Sequence, residues 1–214
     1  MTAGTEEPAW KQRAVERSLR TAKERAGQRV QKFLDAAQEI IVEKGSTDFT
    51  VQEVVERSKL SLRSFYLQFD GKHELLLALF EEAVVRMSAQ IRAATDNEDQ
   101  PVEQLKVAVE LLYELCQPDP VARRPLFTEF GTQLLISHPI EMRTAYSSLF
   151  GLFTELLERL RDAQGLRDDA DPQRIASMMM QSIMFIAQPT SADMLPEPIS
   201  AEEVWEFCAH GIVR

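Results

Sequence analysis

Residues 50–75 read TVQEVVERSKLSLRSFYLQFDGKHEL, and this stretch decides the fold of the N-terminal part of the chain. Thr50 and Glu53 form a capping-box pattern, in which each side chain bonds the backbone amide of the other, so a helix begins directly after Thr50. Residues 58–60 predict a turn, and the Ser61 hydroxyl suits the start of a second helix. The stretch therefore predicts a helix-turn-helix, which points to DNA.

The second of these helices has an inward and an outward face. Phe65 and Phe69 lie four residues apart, on the side that we expect to be buried. The outward side chains that we expect to contact DNA are Ser61, Leu62, Arg63, Ser64 and Tyr66.

Residues 30–77 resemble the DNA-binding domain of the TetR family of bacterial repressors. The resemblance rests on a leading helix RVQKFLDAAQEIIVEKG closed by Gly45, on Phe49-Thr50, on the Leu60-Ser61 turn, on Phe65-Tyr66-x-x-Phe69, on Lys72 and on Leu75-Leu76. It implies an all-α fold of about nine helices, with a three-helix DNA-binding domain followed by a helical ligand-binding and dimerisation domain. We expect a basic arm at 1–28, the DNA-binding domain at 29–74 and the helical domain at 75–214.

Three positions depart from the family pattern. Lys59 stands in the turn where the family usually has glycine, and a left-handed lysine costs roughly 1 kcal/mol. Asp70-Gly71 replaces a common Pro-Ser pair before the next helix. Leu62 is apolar at a recognition position that is often polar, which favours contact with a thymine methyl group.

The net charge of −10 is unevenly distributed along the chain. Residues 1–74 carry a net +1 and residues 75–214 a net −11, whereas residues 8–32 alone carry a net +6. The basic segment is either a solvated arm or a phosphate-binding arm, and both interpretations stay open for residues 11–20. Arg25 and Arg29 lie closer to the domain, and we expect them to contact DNA.

Individual roles at the DNA follow from side-chain chemistry. Arg63 is the candidate for bidentate contact with guanine, and Gln52 for a second base edge. Tyr66, Lys72 and the Thr50 hydroxyl are candidates for phosphate contacts. The alternatives are that Tyr66 packs over the helix junction, that Lys72 is solvated and that Thr50 serves only as a cap.

The rest of the chain predicts further helices at about 74–94, 101–117, 122–137, 140–164, 172–188 and 201–213, with a loop at 189–199. Pro101, Pro139 and Pro172 suit the first turn of a helix, and Ser200 with Glu203 forms a second capping-box pattern.

The last two predicted helices, at 172–188 and 201–213, are more apolar than a monomer requires. A helix that is apolar on all sides must be buried on all sides. The resemblance implies a homodimer through a four-helix interface, and the alternative is a single-chain core. The predicted interface residues are Ile175, Met178, Met179, Ile183, Ile186, Val204, Phe207, Cys208 and Gly211.

Large apolar side chains between residues 75 and 153 are numerous enough to line a cavity. The resemblance implies that a small-molecule effector binds there and releases DNA, although by spacing alone such side chains are more often ordinary core than pocket. With few charges nearby, an uncharged or amphipathic apolar effector is expected. The candidate pocket residues are Phe80, Met87, Leu112, Tyr113, Phe127, Phe130, Tyr146, Phe150 and Phe153.

Other function classes are poorly supported by the sequence. The three histidines share no helical face and no catalytic motif is present, so we expect no enzyme, no metal and no cofactor. We expect Cys116 and Cys208 to be reduced thiols. No apolar run approaches the length of a membrane span, and no export signal is recognisable, which favours a cytoplasmic protein associated with the nucleoid when bound to DNA. The prediction is a ligand-responsive repressor of a palindromic operator; the alternative is a ligand-binding or adaptor protein with a vestigial helix-turn-helix.

Overall fold

The computed structural model describes residues 9–117, 126–187 and 199–213. Within these ranges the regular structure is helical, apart from one isolated bridge between Leu166 and Val213. The predicted all-α fold is confirmed. The chain divides into two compact units, of which the first comprises Met1–Lys44 and Asp48–Leu75 and the second comprises Gly45–Thr47 and Leu76–Arg214.

Three helices and the start of a fourth form the first unit. They are α1 (Ala9–Lys44), α2 (Val51–Ser58), α3 (Leu62–Tyr66) and the beginning of α4 (Lys72–Thr95). Residues 9–28 of the predicted arm and the leading helix that follows form one continuous helix of 36 residues. The core of this unit consists of Phe33, Leu34, Ala36, Ala37, Ile40, Ile41, Phe49, Val54, Val55, Phe65, Phe69 and Leu75.

The second unit takes up the rest of α4 and all later helices. These are α5 (Pro101–Cys116), a π-helix (Leu126–Gly131), α6 (Thr132–Ser137), α7 (Pro139–Ala145), α8 (Ser147–Asp162), α9 (Pro172–Ile186) and α10 (Ala201–Ile212). Helix α5 packs against α8, α9 and α10, and α8 packs against α9. The buried leucines of α8 face this centre and form much of its core.

Local signals in the sequence placed several helix ends correctly. Pro101, Pro139 and Pro172 all occupy the first turn of a helix. Ser200 and Glu203 form the second predicted capping box, with both reciprocal bonds present. These ends are determined by residues within one turn, which is why the sequence reveals them.

Two helices differ from the prediction. The segment expected to be one helix at 122–137 is π-helical at Leu126–Gly131 before α6 begins. Gly131 lies against the Phe80 ring, where an added Cβ would come within 3.0 Å of Cε2, so the wide turn brings the backbone close to that ring. The helix expected at 140–164 is interrupted at Tyr146, whose ψ of 2° departs from helical geometry.

Some predicted features lie outside the described residues. They include residues 1–8 of the arm, Arg123 and Arg124 beside the candidate pocket, and residues 189–198 of the loop expected before α10. Among the described helices, none is long and apolar enough to cross a membrane.

Candidate nucleic-acid interface

The start of α2 is fixed by a closed set of hydrogen bonds. The Glu53 amide donates to the Thr50 hydroxyl oxygen at 3.2 Å, and the Thr50 amide donates to the Glu53 carboxylate at 2.7 Å. Lys44 Nζ lies 2.6 Å from the same carboxylate. The hydrogen bond from Lys44, followed by those from Thr50, lowers the pKa of Glu53 to about 2. The predicted capping box is therefore present and is reinforced from the end of α1.

A second polar link joins α1 to α2. Arg57 on α2 donates from Nη1 and Nη2 to the two carboxylate oxygens of Glu43 at 2.7 Å each, and Nη1 lies 3.3 Å from Glu39. This hydrogen bonding raises the pKa of Arg57 and lowers that of Glu43. Bidentate geometry makes the pair more specific than a simple surface contact. Arg57 therefore holds α2 in place, a role that helical spacing alone did not reveal.

The turn between α2 and α3 contains the left-handed lysine expected from the sequence. Lys59 has φ 56° and ψ 30°, and its amide donates to the carbonyl oxygen of Glu56. Ser61 then caps α3 by accepting from the Ser64 amide at 3.1 Å. The turn keeps its geometry with lysine in place of glycine, so this departure from the family pattern leaves the motif intact.

Aromatic packing fixes the orientation of α3. Phe65 is fully buried, and its ring lies edge-on to Phe33 of α1 with centroids 5.3 Å apart. Phe69 packs beside both, with centroids 5.4 Å from Phe65 and 6.3 Å from Phe33. Tyr66 contacts the outer edge of Phe65 at 5.4 Å and remains exposed. The inner face of α3 is thus occupied, and its outer face is directed to solvent.

The predicted DNA contacts fall into two groups. Leu62, Arg63 and Tyr66 are exposed on the outer face of α3, whereas Ser64 is half-buried. Thr50, Gln52, Ser61 and Lys72 already have partners within the domain. The Thr50 hydroxyl donates to Glu53 at 3.0 Å, Gln52 donates to Glu56 at 2.9 Å, and Lys72 Nζ lies 4.8 Å above the Phe49 ring.

These internal bonds limit what the second group can offer DNA. A phosphate contact through the Thr50 hydroxyl would have to replace its bond to Glu53, because phosphate accepts hydrogen bonds and the hydroxyl has one hydrogen. The Gln52 side-chain amide is less restricted, because one N–H can stay bonded to Glu56 while the second N–H donates to DNA. Lys72 is half-buried over an aromatic face, so the alternative of a merely solvated lysine does not describe it.

The described part of the basic arm belongs to α1, and its described cationic side chains are exposed. Arg13, Arg17, Arg20, Lys23, Arg25 and Arg29 all have exposed side chains. Local pairing is slight: Arg20 lies 3.9 Å from Glu24, with both side chains largely in solvent. A helix that carries this many exposed cations beside a helix-turn-helix is suited to phosphate neutralisation.

In the second unit the candidate pocket residues meet around Phe80 on α4. The Phe80 ring lies 5.2 Å from Phe127, 6.2 Å from Phe130 and 5.4 Å from Tyr146, measured between centroids. Burial raises the pKa of Tyr146. The structure thus brings four of the predicted residues into one aromatic cluster. Met87, Leu112, Tyr113 and Phe153 are also buried, whereas Phe127, Tyr146 and Phe150 are half-buried.

Residues 33–79 match the family described as bacterial regulatory proteins, tetR family. The matched range contains the capping box, the left-handed turn and the aromatic core of the helix-turn-helix. Residues 33–79 therefore carry the sequence pattern of that family.

One relative is similar in sequence over a longer range, and two solved structures are similar in fold. The HTH-type transcriptional activator FasR of Mycolicibacterium smegmatis is 27% identical over 122 residues, which cover 56% of this chain. The match spans 54% of that protein, so the chain corresponds to about half the length of this relative. The fatty acid degradation regulator FadR from Bacillus halodurans has a TM-score of 0.66 at 18% identity, covering 86% of this chain and 95% of that chain. FadR from Bacillus subtilis, in complex with stearoyl-CoA, has a TM-score of 0.66 at 16% identity, covering 85% and 98% respectively.

The predicted interface residues, which all lie in the second unit, divide by burial. Met179, Ile183, Val204 and Cys208 are buried within the chain itself, and Ile175 and Ile186 are half-buried. Burial raises the pKa of the Cys208 thiol to about 11, so that sulfur is a core group of low reactivity. Met178, Phe207 and Gly211 are exposed, as is Phe185, which the sequence prediction omitted. The four buried side chains are therefore covered by other residues of the same chain.

Proposed function

We propose that this chain is a ligand-responsive transcriptional regulator that binds a palindromic operator as a homodimer. The observation that carries the proposal is the arrangement of α3. Its inner face is buried through Phe65 and Phe69, while Arg63, Leu62 and Tyr66 are directed outward. This is the orientation that a recognition helix needs in order to enter a major groove.

The proposed dimer rests on exposed apolar side chains of α9 and α10. Met178 on α9 is 64% exposed and Phe207 on α10 is 68% exposed. Gly211 lies two helical turns from Val204 on α10, and a Cβ added there would meet nothing within 4 Å. Large apolar side chains in solvent and an uncovered glycine on adjacent helices fit a close helix–helix interface with a second copy.

The proposed effector is an apolar or amphipathic small molecule, and a long-chain acyl-CoA is the first class to test. Support comes from the aromatic cluster around Phe80 and from the stearoyl-CoA complex of a structurally similar FadR. Tyr146, whose hydroxyl is the polar group of that cluster, lies at the break between α7 and α8. A ligand that separates these rings would alter the π-helix and α4 together, since both contribute rings to the cluster.

We propose repression as the direction of control, with the dimer occupying DNA until the effector releases it. The alternative, an adaptor protein with a vestigial helix-turn-helix, is less well supported. The residues that favour this alternative are Lys59 and Leu62, because both depart from the family pattern. Lys59 adopts the left-handed turn that the motif needs, and the cap of α3 is complete.

Fluorescence anisotropy tests the proposal, with DNA from upstream of the gene as probe and scrambled DNA as competitor, at two salt concentrations. We expect saturable binding at least about a thousandfold tighter than to the competitor, weakened by salt. Stearoyl-CoA is then titrated against the complex, with free coenzyme A and acetyl-CoA as controls. If the upstream DNA gives no selectivity, a random-sequence selection follows. Failure to enrich any sequence would refute the regulator function.

A further inference from the structure

The outer face of the recognition helix is unusually apolar. Between residues 30 and 75, four large hydrophobic side chains are exposed: Val42 at 65%, Leu62 at 44%, Tyr66 at 56% and Leu67 at 69%. Three of the four belong to α3 or to the residue that follows it. These three side chains are not needed for the core, because Phe65 and Phe69 already fill the inner face.

Polar groups on the same surface are few. Arg63 is the one charged residue between Ser61 and Phe69. The Ser61 hydroxyl oxygen is occupied by the Ser64 amide, and Ser64 itself is half-buried. The outer surface of α3 therefore presents one guanidinium and the Tyr66 hydroxyl beside exposed leucines. Such a surface has few of the cations and N–H or O–H donors that phosphate contacts require.

The apolar feature that a base edge offers in the major groove is the 5-methyl group of thymine. Leu67 continues the helical backbone, with φ −80° and ψ −14°, so it extends the reading surface beyond the end of α3. At a rise of about 1.5 Å and a rotation of about 100° per residue, the Cα atoms of Leu62 and Leu67 are separated by about 7.5 Å along the axis and about 140° around it. Arg63, at about 100° from Leu62, lies between the two leucines around the helix.

We propose that Leu62 and Leu67 are specificity-determining residues that read thymine methyl groups in each operator half-site, on either side of the guanine contacted by Arg63. This inference rests on the proposed function and adds the chemistry of the bases. It commits to DNA as the occupant of the apolar surface because that surface is continuous with Arg63 and with the helix-turn-helix. Affinity for the phosphate backbone then comes from elsewhere, chiefly from the exposed cations of α1.

The test replaces single operator thymines by deoxyuridine, which removes the methyl group and nothing else. Full-length protein is titrated by anisotropy against an operator obtained by selection, with one substituted position per duplex. We expect about a fourfold loss of affinity at each contacted thymine, the effect of about one buried methyl group. At least two such positions are expected in each half-site.

Protein variants assign the methyl groups to side chains. Leu62→Ala and Leu67→Ala bind the thymine operator more weakly, and each becomes insensitive to deoxyuridine at its own position. Arg63→Ala loses affinity but keeps the methyl effect. Val42→Ala, which removes an exposed apolar side chain of α1, serves as the matched control and behaves like the original protein. The leucines are exposed, so their truncation leaves the core unchanged.

Several outcomes overturn the inference without touching the proposed function. One is selective binding that no deoxyuridine substitution weakens. Another is a methyl effect that persists unchanged in both leucine variants, because other residues would then read the thymines. A change of association state in the leucine variants would assign the face to a protein contact. If selection enriches no sequence at all, the proposed function fails, and this inference fails with it.

Discussion

Thr47 donates two hydrogen bonds to the same carboxylate oxygen, Oε2 of Glu129, one from its amide and one from its hydroxyl, each of 2.9 Å. Both residues belong to the second unit, although Thr47 lies in the short segment that links α1 to α2. Glu129 lies in the π-helix, between Phe127 and Phe130 of the aromatic cluster. Val51, the first residue of α2, follows Thr47 by four positions along the chain.

Glu129→Ala is predicted to weaken the coupling between effector and operator. Without the carboxylate, a shift of the π-helix is no longer transmitted to Thr47, so the coupling free energy should fall by about 1 kcal/mol. The measurement is operator affinity with and without saturating effector. Glu158→Ala, which removes an exposed carboxylate of α8, is the matched control. Equal coupling in both variants would show that the two hydrogen bonds carry no signal.

Arg63→Ala is predicted to lower specific binding by about 1 to 3 kcal/mol and to relax preference at one base position. Arg63→Lys keeps the charge but loses the bidentate geometry, so it should relax the same position. Competition against operators substituted at each position measures both effects. A uniform loss on all sequences would instead assign Arg63 to the phosphate backbone.

Deletion of residues 1–24 is predicted to weaken binding on every sequence and to flatten its salt dependence. The deletion removes Arg13, Arg17, Arg20 and Lys23, while the buried part of α1 begins only at Phe33. Each lost phosphate contact should reduce the slope of log K against log salt by about 0.9. Anisotropy over a range of salt gives the slope directly. A slope equal to that of the full chain would mean that these cations remain solvated in the complex.

Acid is predicted to destabilise the helix-turn-helix through Glu53. Its pKa in the folded chain is about 2, below its ordinary value, because Lys44 and Thr50 bond the charged form. The stabilisation is therefore fully present above the pKa of the unfolded chain and is lost as the pH falls through about 2. Thermal unfolding followed by circular dichroism should show a shallower pH dependence between pH 6 and 2 for Glu53→Gln. Glu56→Gln, on the same helix, should keep the original dependence.

Phe207→Glu combined with Met178→Glu is predicted to produce a folded monomer. Both side chains are exposed in the single chain, so the charges would be tolerated there but not in a closely packed interface. Sedimentation equilibrium measures the association state, and circular dichroism checks the helix content. Leu135→Glu, at an exposed apolar position on α6, is the control. A dimer of unchanged affinity would place the interface elsewhere.

The parts of the fold that sequence reasoning predicted are those fixed by neighbouring residues. The capping boxes at Thr50 and Ser200, the left-handed Gly45 and Lys59, and the buried spacing of Phe65 and Phe69 all depend on contacts within about one turn. Each of these features follows from a residue preference that can be recognised in a single sequence.

Features that depend on distant partners were not predictable. The bonds between Thr47 and Glu129 join residues 82 positions apart, and neither residue belongs to a motif. The π-helix contains Gly131, which lies against the Phe80 ring, and residues 51 positions apart in the sequence give no local signal of that contact. Likewise, an apolar stripe does not reveal whether it packs against the same chain or against a second copy. The sequence therefore could not separate the α9 and α10 side chains that are buried within the chain from those that are exposed.

The continuity of α1 has a thermodynamic consequence for the arm. The first turn of an isolated helix is unfavourable to nucleate in water, because it fixes several residues for one hydrogen bond. Here the buried segment from Phe33 to Ile41 supplies the nucleus, and residues 9–32 extend it by propagation alone. DNA then meets cations on a helix that is already formed, so that binding avoids the loss of conformational entropy that ordering a flexible arm would require.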